Sequence, residues 1–130
     1  MSYFKIPDSL CDELTNMIRN FWWGQKHDER KMAWLSWDKL CAPKGARGMD
    51  FHQIKQFNLA LLAKQGWWLQ TMRDSLLYRL FKARYFPHSK FLQASIDNNP
   101  SYAWRSIMVA QSLVQQGTRW NVGNGTSIRV

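Results

Sequence analysis

A mainly α fold is predicted: a bundle of about four helices over residues 1–117, followed by a small, truncated β-hairpin over residues 118–130. Three observations predict it. Apolar residues recur at spacings of three and four along most of the chain, prolines and glycines interrupt that period about once per helix length, and after Gly117 the pattern changes to two short β-prone runs around Gly123-Asn124-Gly125.

The first helix is expected to start near Pro7 to Ser9, with proline in the first turn and Ser9 and Asp12 approximating a capping box. Leu10, Leu14, Met17, Ile18 and Phe21 follow helical spacing to a stop at Gly24, and this stripe, widened by Trp22 and Trp23, is read as core. Gln25 to Lys31 reads as a charged loop, Met32 to Leu35 as a short extended segment, and Ser36 as the cap of a single turn through Leu40 that Pro43 and Gly45 end. From Phe51 to about Met72, Ile54, Phe57, Leu61, Leu62, Trp68, Leu69 and Met72 give the strongest helical signal, with Asp50 placed to cap it. Leu76, Leu77, Leu80, Phe81 and Tyr85 predict another helix that Pro87 forbids to continue. After the Asn98-Asn99-Pro100 turn, Ser101 caps a last helix whose Trp104, Ile107, Met108 and Val114 face inward and which Gly117 ends. Thr118 to Val122 and Thr126 to Val130 then predict the hairpin.

At 130 residues the chain has the size of one domain and can bury roughly two-thirds of its unfolded surface. It is 45% hydrophobic and 15% aromatic with a mean hydropathy of −0.46, which predicts a soluble globular piece rather than a disordered tail. The net charge is +9 and unevenly placed: residues 1–50 carry eight Lys/Arg against seven Asp/Glu, whereas residues 51–130 carry ten against Asp74 and Asp97 alone. Such an imbalance draws polyanions through counterion release, so RNA or DNA backbone is the expected partner; a basic surface that only solubilises is the alternative. Cys11 and Cys41 lack disulfide-framework or zinc-ligand spacing, no run approaches a membrane span, and no signal peptide is read at the start.

Catalytic chemistry is not expected. There is no Asp-Asp pair, seven of the nine acids precede the main helices, and Asp12-Glu13 and Asp28-Glu29 read as solvated neighbours rather than metal ligands. His27, His52 and His88 have no partner at a productive spacing, no GxSxG surrounds a serine, and Gly123-Asn124-Gly125 precedes no helix that would hold a phosphate. No metal and no cofactor are therefore expected. What remains is positive charge interleaved with aromatics: Lys64, Arg73, Arg79, Lys82, Arg84, Lys90 and Arg105 are the candidate phosphate contacts, and Trp67 and Tyr78 the candidate rings for stacking on bases.

Eight tryptophans stand in a frame of motifs: Phe21-Trp22-Trp23-Gly24, then Trp34 and Trp37 ahead of Lys39-Leu40-Cys41-Ala42-Pro43-Lys44, then Phe57-Asn58-Leu59-Ala60-Leu61-Leu62-Ala63-Lys64-Gln65-Gly66-Trp67, then Pro100-Ser101-Tyr102-Ala103-Trp104-Arg105-Ser106-Ile107, and Trp120-Asn121-Val122-Gly123-Asn124-Gly125. From about Tyr3 to Val130 this frame resembles the segment that follows the polymerase domain in plant LINE-type (non-LTR) retrotransposon reverse transcriptases, a segment also found in short plant mitochondrial reading frames. The resemblance implies a remnant downstream of the catalytic aspartates, overlapping the helical thumb or the linker after it, with Met1 an internal methionine used as a start. It implies a nuclear or a mitochondrial location according to the encoding genome. Two functions follow as expectations: a non-catalytic binder of nucleic-acid backbone, or a module whose Trp-rich face docks on the polymerase portion. The family shows a pair of glycines before a Leu-Gly-Phe where this chain reads Ala46-Arg47-Gly48-Met49-Asp50-Phe51, so a turn that wants positive φ has lost two permissive positions. Family members also continue past Val130 with a Trp and an Asp-x-Trp.

Overall fold

A computed structural model describes residues 3–24, 32–119 and 123–126. Five helices of seven residues or more are present among them, together with one shorter helix: α1 (Asp8–Trp22), the short α2 (Trp37–Cys41), α3 (Ile54–Thr71), α4 (Leu76–Tyr85), α5 (Tyr102–Val109) and α6 (Gln111–Gly117). Single 3-10 turns lie at Lys44–Ala46 and Phe91–Gln93.

The longest helix, α3, is the hub and touches α1, α4, α5, α6 and the second 3-10 turn. Its buried side is Asn58, Leu62, Gln65, Gly66 and Leu69, recurring at three and four residues as the sequence period requires. Gly66 is there for closeness: a Cβ on it would stand 3.0 Å from the Phe91 ring and 3.1 Å from Val114. Trp104 fills the centre at 0% exposure. Its indole stacks on Tyr85 at 4.5 Å and on Phe86 at 5.7 Å, and meets Phe81 and Phe91 edge-on at 5.6 and 6.0 Å. Offset-stacked and edge-to-face pairs are the favoured ring arrangements, so α4, α5 and the Phe91 turn are tied together through one side chain.

Caps hold this half in place. The Ser75 hydroxyl accepts the Tyr78 N–H at 3.2 Å and the Ser101 hydroxyl accepts the Trp104 N–H at 3.2 Å. Gln111 donates to the carbonyls of Phe91 and Ala94 at 2.7 and 3.0 Å, fixing the 3-10 turn against α6. The N-terminal strap is fixed the same way, by side chains in place of a strand partner. Asn58 accepts the Ile6 N–H at 3.0 Å and donates to the Phe4 carbonyl at 2.9 Å, while Ser106 accepts the Lys5 N–H and Tyr102 donates to the Lys5 carbonyl.

Several expectations are corrected. The C-terminal β-hairpin is not supported: no strand occurs among the described residues, and 123–126 form a turn in which the Thr126 N–H and hydroxyl donate to Asn124 Oδ1. The remaining residues of the expected strands, 120–122 and 127–130, lie outside the described residues, as does the whole of the expected charged loop over 25–31. The last helix is two helices, α5 and α6, divided at Ala110 with no glycine or proline there. The first helix has no capping box, because Ser9 lies inside α1 and Pro7 precedes it without a side-chain bond. Its Leu10, Met17, Ile18 and Phe21 face solvent, with Phe21 86% exposed, so the predicted core stripe is a surface stripe and only Cys11 of this helix is buried.

Asp50 caps nothing, since α3 begins at Ile54 behind Gln53. It has φ 61° and Arg47 has φ 63°, the left-handed region that glycine occupies without strain. Between them Gly48 packs so closely that a Cβ would fall 1.8 Å from the Ala42 carbonyl oxygen.

Candidate functional site

A groove of about 620 Å³ opens where the end of α3, α4, the Phe91 turn and the end of α6 converge. Each wall follows from local structure. The α3 helix ends at Thr71, and Met72 to Ser75 turn the chain so that α4 leaves beside it, which puts Trp67, Gln70 and Arg73 across from Tyr78 and Lys82. Pro87 stops α4 and the chain folds back through Ser89 and Lys90 to the Phe91 turn, closing the third side. Past Gly117, Thr118 and Arg119 close the fourth. The floor is apolar: Leu69, Phe86, Phe91 and Leu92.

The groove brings together five of the nine residues singled out in the sequence: Arg73, Lys82, Lys90, Trp67 and Tyr78. Arg73 and Lys90 are exposed, whereas Lys82 is half-buried. The Lys82 ammonium is held in place: it donates to the Ser89 carbonyl at 3.4 Å and stands 5.9 Å from the Tyr78 ring and 5.6 Å from the Phe86 ring. Trp67 is 44% exposed and Tyr78 half-buried, its edge against Phe86. Among the described residues no Asp or Glu lines the groove, and four cations do once Arg119 is counted. Arg119 is not among the sequence candidates because Thr118 to Val122 reads as a strand; the signal available is a cation two residues past the glycine that ends a helix.

The other four candidates lie elsewhere. Lys64 sits 5.0 Å from the Trp68 ring, Arg105 sits 5.8 Å from Tyr102, and Arg79 is exposed on α4 outside the groove lining. Arg84 lies 5.5 Å from the Tyr85 ring and borders a separate concavity of about 480 Å³ with Ile96, Asp97, Asn98 and Asn99. Arg79, Lys82 and Arg84 thus do not form one patch, since a step of two residues along a helix turns a side chain by about 200° and carries Arg84 away from Lys82.

A third concavity, about 400 Å³, is bordered by Cys41, Asp50 and His52. Burial, and then the Asp38 carboxylate, push the Cys41 thiol up, which disfavours the thiolate that a nucleophile or metal ligand needs. Among the described residues no three His, Cys, Asp or Glu side chains are grouped to hold a metal, and no helix is long and apolar enough to cross a membrane.

The chain is 40% identical, over 131 aligned residues, to an uncharacterized mitochondrial protein of Arabidopsis thaliana, an alignment that takes in 100% of this chain and 85% of that protein. The chain belongs to the same family as that mitochondrial protein. A second Arabidopsis thaliana protein, named provisionally as a ribonuclease H protein, is 31% identical over 134 residues, but there the chain spans only 21% of the relative's length. No family model matches the chain and no solved structure does.

Proposed function

We propose that this chain is a non-catalytic segment of retrotransposon reverse-transcriptase origin that binds nucleic-acid backbone through the groove between α3, α4 and α6. The observation that carries the reading is the groove itself, with Arg73, Lys82, Lys90 and Arg119 around two aromatic rings and no acid among the described lining residues. Cations at a rim neutralise phosphates without regard to sequence, and a polar fringe with an apolar floor suits the sugar and base between them. The tryptophan motif frame supports the origin. So does kinship with a protein named for ribonuclease H, since such a name concerns nucleic acid. The non-catalytic character rests on the absence of an Asp-Asp pair and the scatter of the acids. The mitochondrial name of the family relative favours the mitochondrion over the nucleus. Titration of labelled RNA into the purified chain at rising salt tests the reading: binding at low salt that weakens steeply supports it, and no binding at low salt refutes it.

One observation favours a second reading, an interaction module that docks on the polymerase portion of the parent element. The solvent face of α1 carries Leu10, Met17, Ile18 and Phe21, a contiguous apolar stripe of the kind that marks protein contacts. Binding of a polymerase fragment that is insensitive to salt and lost on Phe21→Asp supports this reading over the first.

A further inference from the structure

Resting on the backbone-binding reading, we propose that the groove takes an unpaired strand, with one base at a time seated against Trp67, and discriminates against duplex. The size points there first. A concavity of about 620 Å³ falls within the roughly 300–1,000 Å³ of pockets that enclose one small-molecule-sized unit, such as a nucleoside. In a duplex the bases are held in the stack and offer only groove edges about 6 to 12 Å wide, so a duplex meets the rim cations and leaves the concavity empty.

The chemistry of the walls agrees. Leu69, Phe86 and Phe91 are already buried, so the apolar surface still open in the groove lies on Trp67, Tyr78 and the half-buried Leu92; phosphates alone would leave it wet, whereas an unstacked base covers it. Trp67 has no aromatic ring against it among the described residues, unlike Trp104 with four, and about half of its surface is open. Tyr78 is a different kind of wall, because the Lys82 ammonium already stands over its ring; a base stacks on Trp67 while Lys82 meets a phosphate beside it. Arg73, Lys90 and Arg119 line the same concavity and are exposed, available to the phosphates on either side of the seated base. Gln70, Gln115 and Ser89 carry both donors and acceptors, so the seat accepts any base rather than reading one.

The test uses the unmodified chain and three labelled oligonucleotides of equal length at one salt concentration: a single strand, the same strand carrying abasic sites, and the same strand annealed to its complement. The abasic strand keeps every phosphate and removes the stacking surface. The intact single strand is expected to bind between about 5- and 150-fold tighter than the abasic strand, the range for one stacked base, and tighter than the duplex. Trp67→Leu, a change on the exposed side of α3, is expected to bring the single strand to the abasic level without altering the salt dependence of binding. Equal affinities for all three probes with a steep salt dependence overturn the unpaired-base seat and leave backbone binding standing. No binding of any probe at low salt overturns both.

Discussion

Arg47→Gly and Asp50→Gly should each stabilise the protein, against the usual effect of putting glycine into a chain. Both residues are held at φ near 60°, where an L-residue's Cβ crowds the neighbouring carbonyl at a cost of roughly 1–2 kcal/mol. Glycine removes that cost but gives back about 0.5–1 kcal/mol through the greater freedom of the unfolded chain. The net gain is about 0.5–1 kcal/mol per site. Asp50 belongs at the lower end, because Asp tolerates this region better than Arg. At about 3–6 °C per kcal/mol for a chain of this size, the double variant should melt several degrees higher, read by far-ultraviolet circular dichroism and checked by urea denaturation. Gly48→Ala is the contrast: its Cβ would fall 1.8 Å from the Ala42 carbonyl oxygen, so it should lose stability sharply. An unchanged or lowered midpoint for Arg47→Gly would refute the assignment of strain to this loop.

Trp104→Ala should cost about 3–5 kcal/mol, since it empties the centre on which four rings pack; an unchanged melting midpoint would show the indole to be dispensable. Asn58→Ala should cost about 1–3 kcal/mol by freeing the Ile6 N–H and the Phe4 carbonyl, and should expose the N-terminal strap to limited proteolysis before the rest of the chain. The Lys55 ammonium, hydrogen-bonded to Asp8 at 3.0 Å, holds the Asp8 carboxyl below the usual carboxylate range. Its contribution is therefore present above the unfolded pKa and lost as pH falls through the folded one, so any difference in melting between wild type and Asp8→Asn should exist at neutral pH and vanish in strong acid. The pair is solvent-exposed and the difference will be small.

Where sequence and structure agree, a local signal settled the matter. Ser101 caps α5, Pro87 stops α4, and Trp104, Ile107 and Val114 lie on the buried side because three-and-four spacing fixes which residues share a face. Periodicity says that α1 has an apolar side but not that the chain covers it, and so the Leu10 to Phe21 stripe reads as core although Cys11 alone of this helix is buried. The break at Ala110 has no residue that announces it; Gln111 reaching back to the Phe91 turn is a tertiary contact that no window of sequence contains. The site was half legible. The excess of cations after residue 50 points to the part of the chain that lines the groove, and five of the candidates converge there. Arg84 and Lys64 lean along neighbouring rings, which depends on how the helices rotate rather than on their order in the chain.

The central claim is that the groove cations hold phosphates, and the salt dependence of binding measures this directly. Affinity for labelled single-stranded RNA should be followed at several salt concentrations for wild type and for the triple variant Arg73→Ala, Lys82→Ala, Lys90→Ala. At roughly 0.7 per phosphate contact on a single strand, three lost contacts predict a log K against log salt slope shallower by about 2, while the triple Arg79→Ala, Arg84→Ala, Arg105→Ala, placed outside the groove, should change it far less. Equal slopes for wild type and the groove variant would contradict the account.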